Sequence, residues 1–331
     1  MKIIMLKKIA SSLVAPGKGI LAADQSPSSA AKLLDIAGVK STSKVRGYYR
    51  EILFTTPNIE RFISGVILHE ETIYQKSRKG VPFPKLLLER GIVPGIKVDK
   101  GKVDMPNFPG EKITEGIDGL RGRLEEYKKL GAKFAKWRAV FSVKGGLPTQ
   151  ICIDSNSELL ARYAAYCQEV GLTPIVEPEV LMEGEHSIEE FAKDNKNVLK
   201  TVFLYLSRHK VNFKGMLLKP SWIHQGLGKK TKNESKVVAE HTLRVFKEVV
   251  PDEVPGVVFL SGGDSPEDST SHLDALNEIN DASWQLSFSF GRALQEPVLK
   301  AWQGKEENVR HAQQVFYERA RLNSLARSGE Y

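Results

Sequence analysis

Lys219 closes a short apolar run, Met216, Leu217 and Leu218, and is followed by Pro220 in "GMLLKPSW" over 215–222. Lysine is among the residues least tolerated in a buried position, so one that ends a strand-like run needs a carboxylate partner or a chemical use. An amine taken out of water and crowded by a second cation, such as Lys136, loses its proton more readily and can then attack a carbonyl carbon to form a Schiff base. From these eight residues alone, an ion pair with Glu177 or Glu179 is the simpler account, and both readings stay open at this point.

Seven further apolar runs carry polar residues at or near their ends. "GILAAD" ends at Asp24, "SGVILHE" at Glu70, and "VPGIKVDK" surrounds Lys97. "KFAKWRAVF" holds Lys136 and Arg138, "TPIVEPEV" holds Glu177 and Glu179, "VPGVVFLSGG" reaches Ser261 and Gly262, and "QLSFSFGRAL" reaches Arg292. Residues two apart on a strand share a face, so Lys136 points with Arg138 and Glu177 with Glu179. Brought to one place, Asp24, Lys97, Lys136, Arg138, Glu177, Glu179, Lys219 and Arg292 supply five cations and three carboxylates. Such a set can pair internally and still present positive charge to an anionic substrate. Taken one at a time, each is equally an ordinary charged residue at a strand end.

Two turns add a phosphate signal. "FLSGGD" places Gly262 and Gly263 where bare backbone N–H groups can approach an anion, and "FSFGRAL" places Gly291 before Arg292. A glycine pair by itself is more often a plain turn; its combination with the arginine points to phosphate.

The elements that must position these residues alternate. Helical patterns fall between the runs, as in "SNSELLARYAAYCQEVG" (155–171), where Ser157 is placed to cap the start and Gly171 to end the helix. "ESKVVAEHTLRVFKEVV" (234–250) is a second example. "MKIIMLKKIA" reads as an amphipathic first helix, because Lys7 and Lys8 interrupt any signal-peptide core. Strands alternating with helices imply parallel pairing, and eight such units predict an α/β chain folded as a (β/α)8 TIM barrel. An open doubly wound sheet is the alternative, but "AADQSPSS" after the first run lacks the G-x-G-x-x-G turn. In a parallel barrel the site lies at the C-terminal mouth, and the loops after strands seven and eight recurrently hold phosphate.

The 331-residue chain, 41% hydrophobic and 27% charged, carries no Pro/Gly/Ser-rich linker, so a single domain over 1–331 is expected. "HQGLGKKTKNES" (224–235) reads as a mobile loop, and the segment from about 318 to 331 as a flexible tail, since "SLARSGEY" has little apolar content. A formal net charge of +8 favours anionic partners. With only Cys152 and Cys167, a disulfide framework is not expected, a Cys-based metal site is excluded, and a reducing, cytoplasmic setting is expected. No apolar segment is long enough to span a bilayer, and no basic stripe interleaved with aromatics marks a nucleic-acid face.

In order and spacing the motifs "PGKGILAADQS", "GIKVDKG", "GAKFAKWRAVF", "PIVEPEVL", "LLKPSW", "FLSGG" and "FSFGRALQ", with a C-terminal tyrosine, resemble the class I fructose-1,6-bisphosphate aldolases over essentially the whole chain. The resemblance implies a metal-independent enzyme of glycolysis and gluconeogenesis that cleaves fructose 1,6-bisphosphate to dihydroxyacetone phosphate and glyceraldehyde 3-phosphate. It implies Lys219 as the imine-forming lysine, Asp24 as the acid/base on the C4 hydroxyl, and Glu177 as the proton carrier for carbinolamine formation and dehydration. Glu179 would hold neighbouring charges, and Lys136 and Arg138 would surround the reacting carbons and the second phosphate. Ser261, Gly262 and Arg292 match one phosphate clamp, and Ser26, Ser29 and Lys97 match groups near the opposite end of the sugar. Tyr331 matches the tyrosine that assists proton exchange on the enamine.

Three departures fall in the first loop: Gln25 where the family usually has Glu, Pro27, and Leu33 in place of a phosphate-contacting arginine. They leave the choice between fructose 1,6-bisphosphate and fructose 1-phosphate open. Metal-dependent aldolases need a His-rich zinc site, and His69, His186, His209, His224, His241, His272 and His311 form no close pair in sequence. No metal or other cofactor is expected. Sugar phosphates are the expected partners, and the resemblance implies a homotetramer. Two other readings are a transaldolase-like Schiff-base barrel, which leaves one phosphate set without a use, and a binding protein that uses its positive face.

Overall fold

A computed structural model describes residues 2–230 and 232–331. Among them the strands run β1 (Gly19–Ala23), β2 (Ile63–Leu68), β3 (Val93–Lys97), β4 (Lys102–Asp104), β5 (Lys112–Thr114), β6 (Phe134–Phe141), β7 (Thr173–Val180), β8 (Leu217–Leu218), β9 (Gly256–Phe259) and β10 (Gln285–Phe290). All but β4 and β5 close a parallel barrel in the order β1-β10-β9-β8-β7-β6-β3-β2. The β1–β10 pairing, Ile20 beside Ser289, seals the ring and excludes the open sheet. Every run expected as a strand takes its place, and helices fill the crossovers to make one (β/α)8 domain.

The strands alternate between the lumen and the surrounding helices. Ile20, Ala22, Ile67, Phe134, Ile175, Leu217 and Val258 fill the lower lumen, where Ala10 and Leu13 of the first helix (Lys2–Leu13) and the adjoining Val14 plug its N-terminal end. Thr173 Oγ1 donates to the Leu6 carbonyl at 3.1 Å and so ties that helix to the start of β7. Residues of opposite phase, among them Leu21, Val66, Ile96, Trp137, Val176 and Val257, pack beneath the helices.

Gly95 faces the lumen beside Phe134 in the neighbouring strand, and a Cβ there would lie 2.3 Å from the Phe134 ring. Gly95→Ala must therefore displace a fully buried aromatic ring. The expected cost is about 1–3 kcal/mol in urea unfolding. An unchanged midpoint would show that the ring has room to move.

Some local expectations shift. The helix expected over 155–171 is Gln150–Val170, capped by Thr149, whose Oγ1 accepts the Cys152 N–H at 3.3 Å. Ser157 is buried inside it rather than at its start, while Gly171 ends it in the left-handed conformation. The second expected helix is Ser235–Val249. In the loop before it, Gly226, Leu227 and Gly228 donate their N–H groups to the carbonyls of His186, Met182 and Gly184. The segment 318–331 is helical as far as Ala326 and buries Arg319, Ala320, Asn323, Ala326 and Arg327. Arg327 donates to the Val14, Ala15 and Lys18 carbonyls, pinning the chain end under the barrel.

Candidate active site

At the C-terminal mouth the lumen opens into a cavity of about 920 Å³, a size that suits a small ligand. Nine basic and five acidic side chains line it, so it presents net positive charge.

Although β8 is only two residues long, the Lys219 N–H donates to the Val176 carbonyl at 2.8 Å, so the ladder runs on through the lysine. Leu217 faces the lumen and Lys219, two residues on, does the same. Its Nζ lies 3.0 Å from Glu177 Oε1, and Lys136 Nζ lies 2.8 Å from Glu177 Oε2 and 2.7 Å from Asp24 Oδ2. A chain of three buried groups and the partly buried Asp24 results, Lys219–Glu177–Lys136–Asp24. Glu177 Oε2 sits off the hydrogen-bonding direction of its lysine and keeps acceptor capacity to spare. One turn of the pleat outward, Arg138 pairs with Glu179 at 2.9 Å. Lys97 is held sideways by Asp99, donating to its carboxylate and, at 2.9 Å, to its carbonyl.

Burial opposes the charge on Asp24, Glu177, Lys136 and Arg138, and their partners outweigh it. Lys136, followed by Lys219 and Lys97, holds the Asp24 carboxyl well below the usual carboxylate range. Lys136, Lys219 and Arg138 likewise lower Glu177. Asp24 and Glu177 in turn push the Lys136 ammonium well above an ordinary lysine. Glu179 does the same for Arg138 with burial second. Lys136 is therefore a fixed cation between two carboxylates, whereas Lys219 has one carboxylate, and shares it.

The phosphate candidates stand at two places on the rim. Ser261, Gly262 and Arg292 line the cavity together, Arg292 opening the helix Arg292–Trp302, whose N-terminal N–H groups suit an anion. Gly262 has φ +57°, and a Cβ there would lie 1.4 Å from Met182 Cε, so any other residue would be strained and would have to push the Met182 methyl aside. Ser26 caps the helix Pro27–Leu34, its Oγ accepting the Ser29 N–H at 3.3 Å, and both serines line the cavity. Leu33 and Ile36 form an apolar patch beside them, where the family pattern leads one to expect a cation. Gln25 braces this turn through its side-chain donation to the Ala22 carbonyl at 3.0 Å, and Arg50 donates to the Gln25 carbonyl at 3.0 Å.

Several lining residues, among them Lys32, Asp99, Arg123 and His69, are not singled out as site residues by the sequence reading, and His69 is the one whose position is most telling. Ala23 pairs with Leu68 and Leu68 with Ile96, so the next residues, Asp24, His69 and Lys97, form a row across β1, β2 and β3. His69 lines the cavity, and its Nδ1 accepts the Glu71 N–H at 3.1 Å, capping the helix Glu70–Tyr74. Burial, then Arg50 and Lys97, pulls its pKa down to about 4, so the ring is neutral at pH 7. With Nδ1 accepting, the hydrogen is on Nε2. The signal lay in the alternation: Ile67 faces the lumen, so His69 continues the inward phase of β2, although Glu70 also reaches the cavity wall.

Tyr331 is the expected site residue that the structure does not bring to the mouth. Its N–H donates to Asp274 at 2.8 Å on the outer helix Pro266–Glu278, and its side chain is 45% exposed. Four residues beyond Arg327 reach at most ~14 Å, and Arg327 is anchored to the segment preceding β1, at the opposite end of the barrel. Deleting Tyr331 should change kcat by no more than about twofold, the range of a surface change. A large fall in steady-state turnover would restore it to the site.

Among the described residues no group of three or more His, Cys, Asp or Glu is arranged to hold a metal. Folding does bring His224 and His272 to a ring separation of 6.4 Å, a proximity that sequence spacing does not disclose.

A buried lysine that shares its one carboxylate with a second lysine, in a positively charged barrel mouth, suits imine chemistry on anionic carbonyl compounds, and comparisons with known proteins narrow that class. Residues 5–331 match the sequence model of the family described as fructose-bisphosphate aldolase class-I. A probable class 1 fructose-bisphosphate aldolase of Xanthomonas campestris is 47% identical across 100% of this chain and 99% of its own length. Cytosolic fructose-bisphosphate aldolase 6 of Arabidopsis thaliana is 49% identical over 96% of this chain and 88% of its own. The solved fructose-bisphosphate aldolase of Plasmodium falciparum, crystallised with TRAP and a small molecule inhibitor, superposes with a TM-score of 0.98 at 46% identity, covering 100% of this chain and 96% of that one. The chain belongs to the class I fructose-bisphosphate aldolase family.

Proposed function

We propose that this mouth reversibly cleaves fructose 1,6-bisphosphate to dihydroxyacetone phosphate and glyceraldehyde 3-phosphate through an imine on Lys219. The observation that carries the reading is Glu177 bridging Lys219 and Lys136 at 3.0 and 2.8 Å. Glu177 takes a proton from Lys219, whose amine attacks the C2 carbonyl; Glu177 then protonates the carbinolamine hydroxyl, which leaves as water. Asp24 accepts the C4 hydroxyl proton, the C3–C4 bond breaks, and its electron pair enters the iminium to give an enamine. The aldehyde departs, the proton that Asp24 took from the C4 hydroxyl is delivered to C3, and water hydrolyses the new imine to free Lys219.

Ser261, Gly262 and Arg292 hold one phosphate, and Ser26, Ser29 and Lys97 lie toward the other. Two anion sites favour a bisphosphate over a transaldolase-type substrate. Lys136 keeps positive charge beside the reacting carbons, and Glu179 fixes Arg138.

The test is borohydride reduction in the presence of dihydroxyacetone phosphate followed by peptide mapping. An adduct on Lys219 is expected, with turnover that resists a chelator. An adduct elsewhere, or activity lost to the chelator, would overturn the mechanism.

A cytoplasmic homotetramer fits the same reading. Its support is the cytosolic relative and the exposed apolar side chains Ile151 and Leu204 on the outer helices Gln150–Val170 and Ile188–Arg208. Light scattering should then give four times the chain mass of 36.9 kDa.

A further inference from the structure

We propose that His69 is a substrate-binding residue whose Nε2–H donates to the oxygen on C4, the same oxygen whose proton Asp24 removes. This rests on the role assigned to Asp24 above. Asp24 and His69 end adjacent paired strands in one row of the mouth, and neighbouring strands lie about 4.8 Å apart. A hydroxyl between two such side chains can donate to the carboxylate while its oxygen accepts from the imidazole.

Lys97, the third member of the row, is already engaged by Asp99. His69 Nδ1 is engaged by the Glu71 N–H. Among the described residues Nε2 has no hydrogen-bond partner, and the ring lines the cavity. Helix capping alone does not account for the residue, because Asn, Asp or Ser caps better and leaves no donor at the mouth.

The chemistry gives the donor a direction of use. As Asp24 removes the C4 hydroxyl proton, negative charge builds on its oxygen, and it is lost when the C3–C4 bond breaks and the carbonyl forms. In condensation, the same donor polarises the incoming aldehyde. Stabilisation is needed where that charge develops, and the donor costs no reorganisation because its tautomer is set beforehand.

Three variants separate this from capping. His69→Asn keeps an acceptor where Nδ1 stands and so keeps the cap, but falls short of the mouth. His69→Gln carries an amide donor toward the place of Nε2, and His69→Phe supplies neither. For fructose 1,6-bisphosphate, kcat/KM should fall about tenfold in Asn and Phe, the effect of one lost hydrogen bond, and recover severalfold in Gln. Thermal midpoints should fall in Phe and hold in Asn. Borohydride trapping with dihydroxyacetone phosphate should proceed at the parent rate in all three, since that triose has no C4 oxygen.

Parent-like kcat/KM in His69→Asn, or no recovery in Gln relative to Phe, would overturn the proposal. So would a loss of trapping that matches the loss of cleavage, which would mean general distortion of the mouth. Failure of trapping at Lys219 in the parent protein would instead overturn the Schiff-base reading.

Discussion

Lys219→Met should fold and yet lose turnover by on the order of 10⁵-fold, the size of effect seen when a covalent nucleophile is removed. It should give no borohydride adduct with dihydroxyacetone phosphate. The nearest other amine cannot substitute. Lys136 lies between Asp24 and Glu177 at 2.7 and 2.8 Å, and both carboxylates hold its proton on. Folding should survive because Glu177 keeps Lys136 as its counter-ion when Lys219 is gone, so no buried carboxylate is stranded. Activity within tenfold of the parent would place the nucleophile elsewhere.

Lys136→Met should have the largest effect on stability, about 3–5 kcal/mol, because it removes the shared cation of a buried and a partly buried carboxylate. Its pH signature is more diagnostic than its size. In the parent, Asp24 and Glu177 have folded pKa values below their unfolded ones. Their contribution is present above about pH 4 and is lost as pH falls through the folded values. In the variant, burial dominates at Asp24 and raises its folded pKa above the unfolded one. The native state then binds more protons than the unfolded state above about pH 4, so stability falls as pH rises until the raised folded pKa is passed. Urea unfolding at several pH values reads the slope, and an unreversed slope would mean that Lys219 and Lys97 are enough to hold Asp24 ionised.

The sequence disclosed the barrel because each strand carries both faces in its pattern. Ile20 and Ala22 point in and Leu21 out, and eight such runs, each ended by a polar group, leave little topological freedom. The ion-pair partners were legible only in part. Lys136 with Arg138, and Glu177 with Glu179, follow from the two-residue period, but the bridge from Glu177 to Lys219 depends on β7–β8 register, which no single strand contains. His69 was missed through a phase error of one residue at the end of β2. The β4–β5 hairpin was missed because β4 is exposed throughout and has no alternation to read. Tyr331 was placed by its terminal position, whereas its location depends on Arg327 reaching back to carbonyls more than 300 residues earlier.

That long-range anchor also sets how the molecule can be attached to something else. The first helix and the last residues both lie at the barrel end away from the mouth. A bead, an electrode or a fused second enzyme joined at either terminus would leave the cavity facing outward. Immobilised preparations should therefore keep their solution KM, with loading density, not orientation, limiting flux.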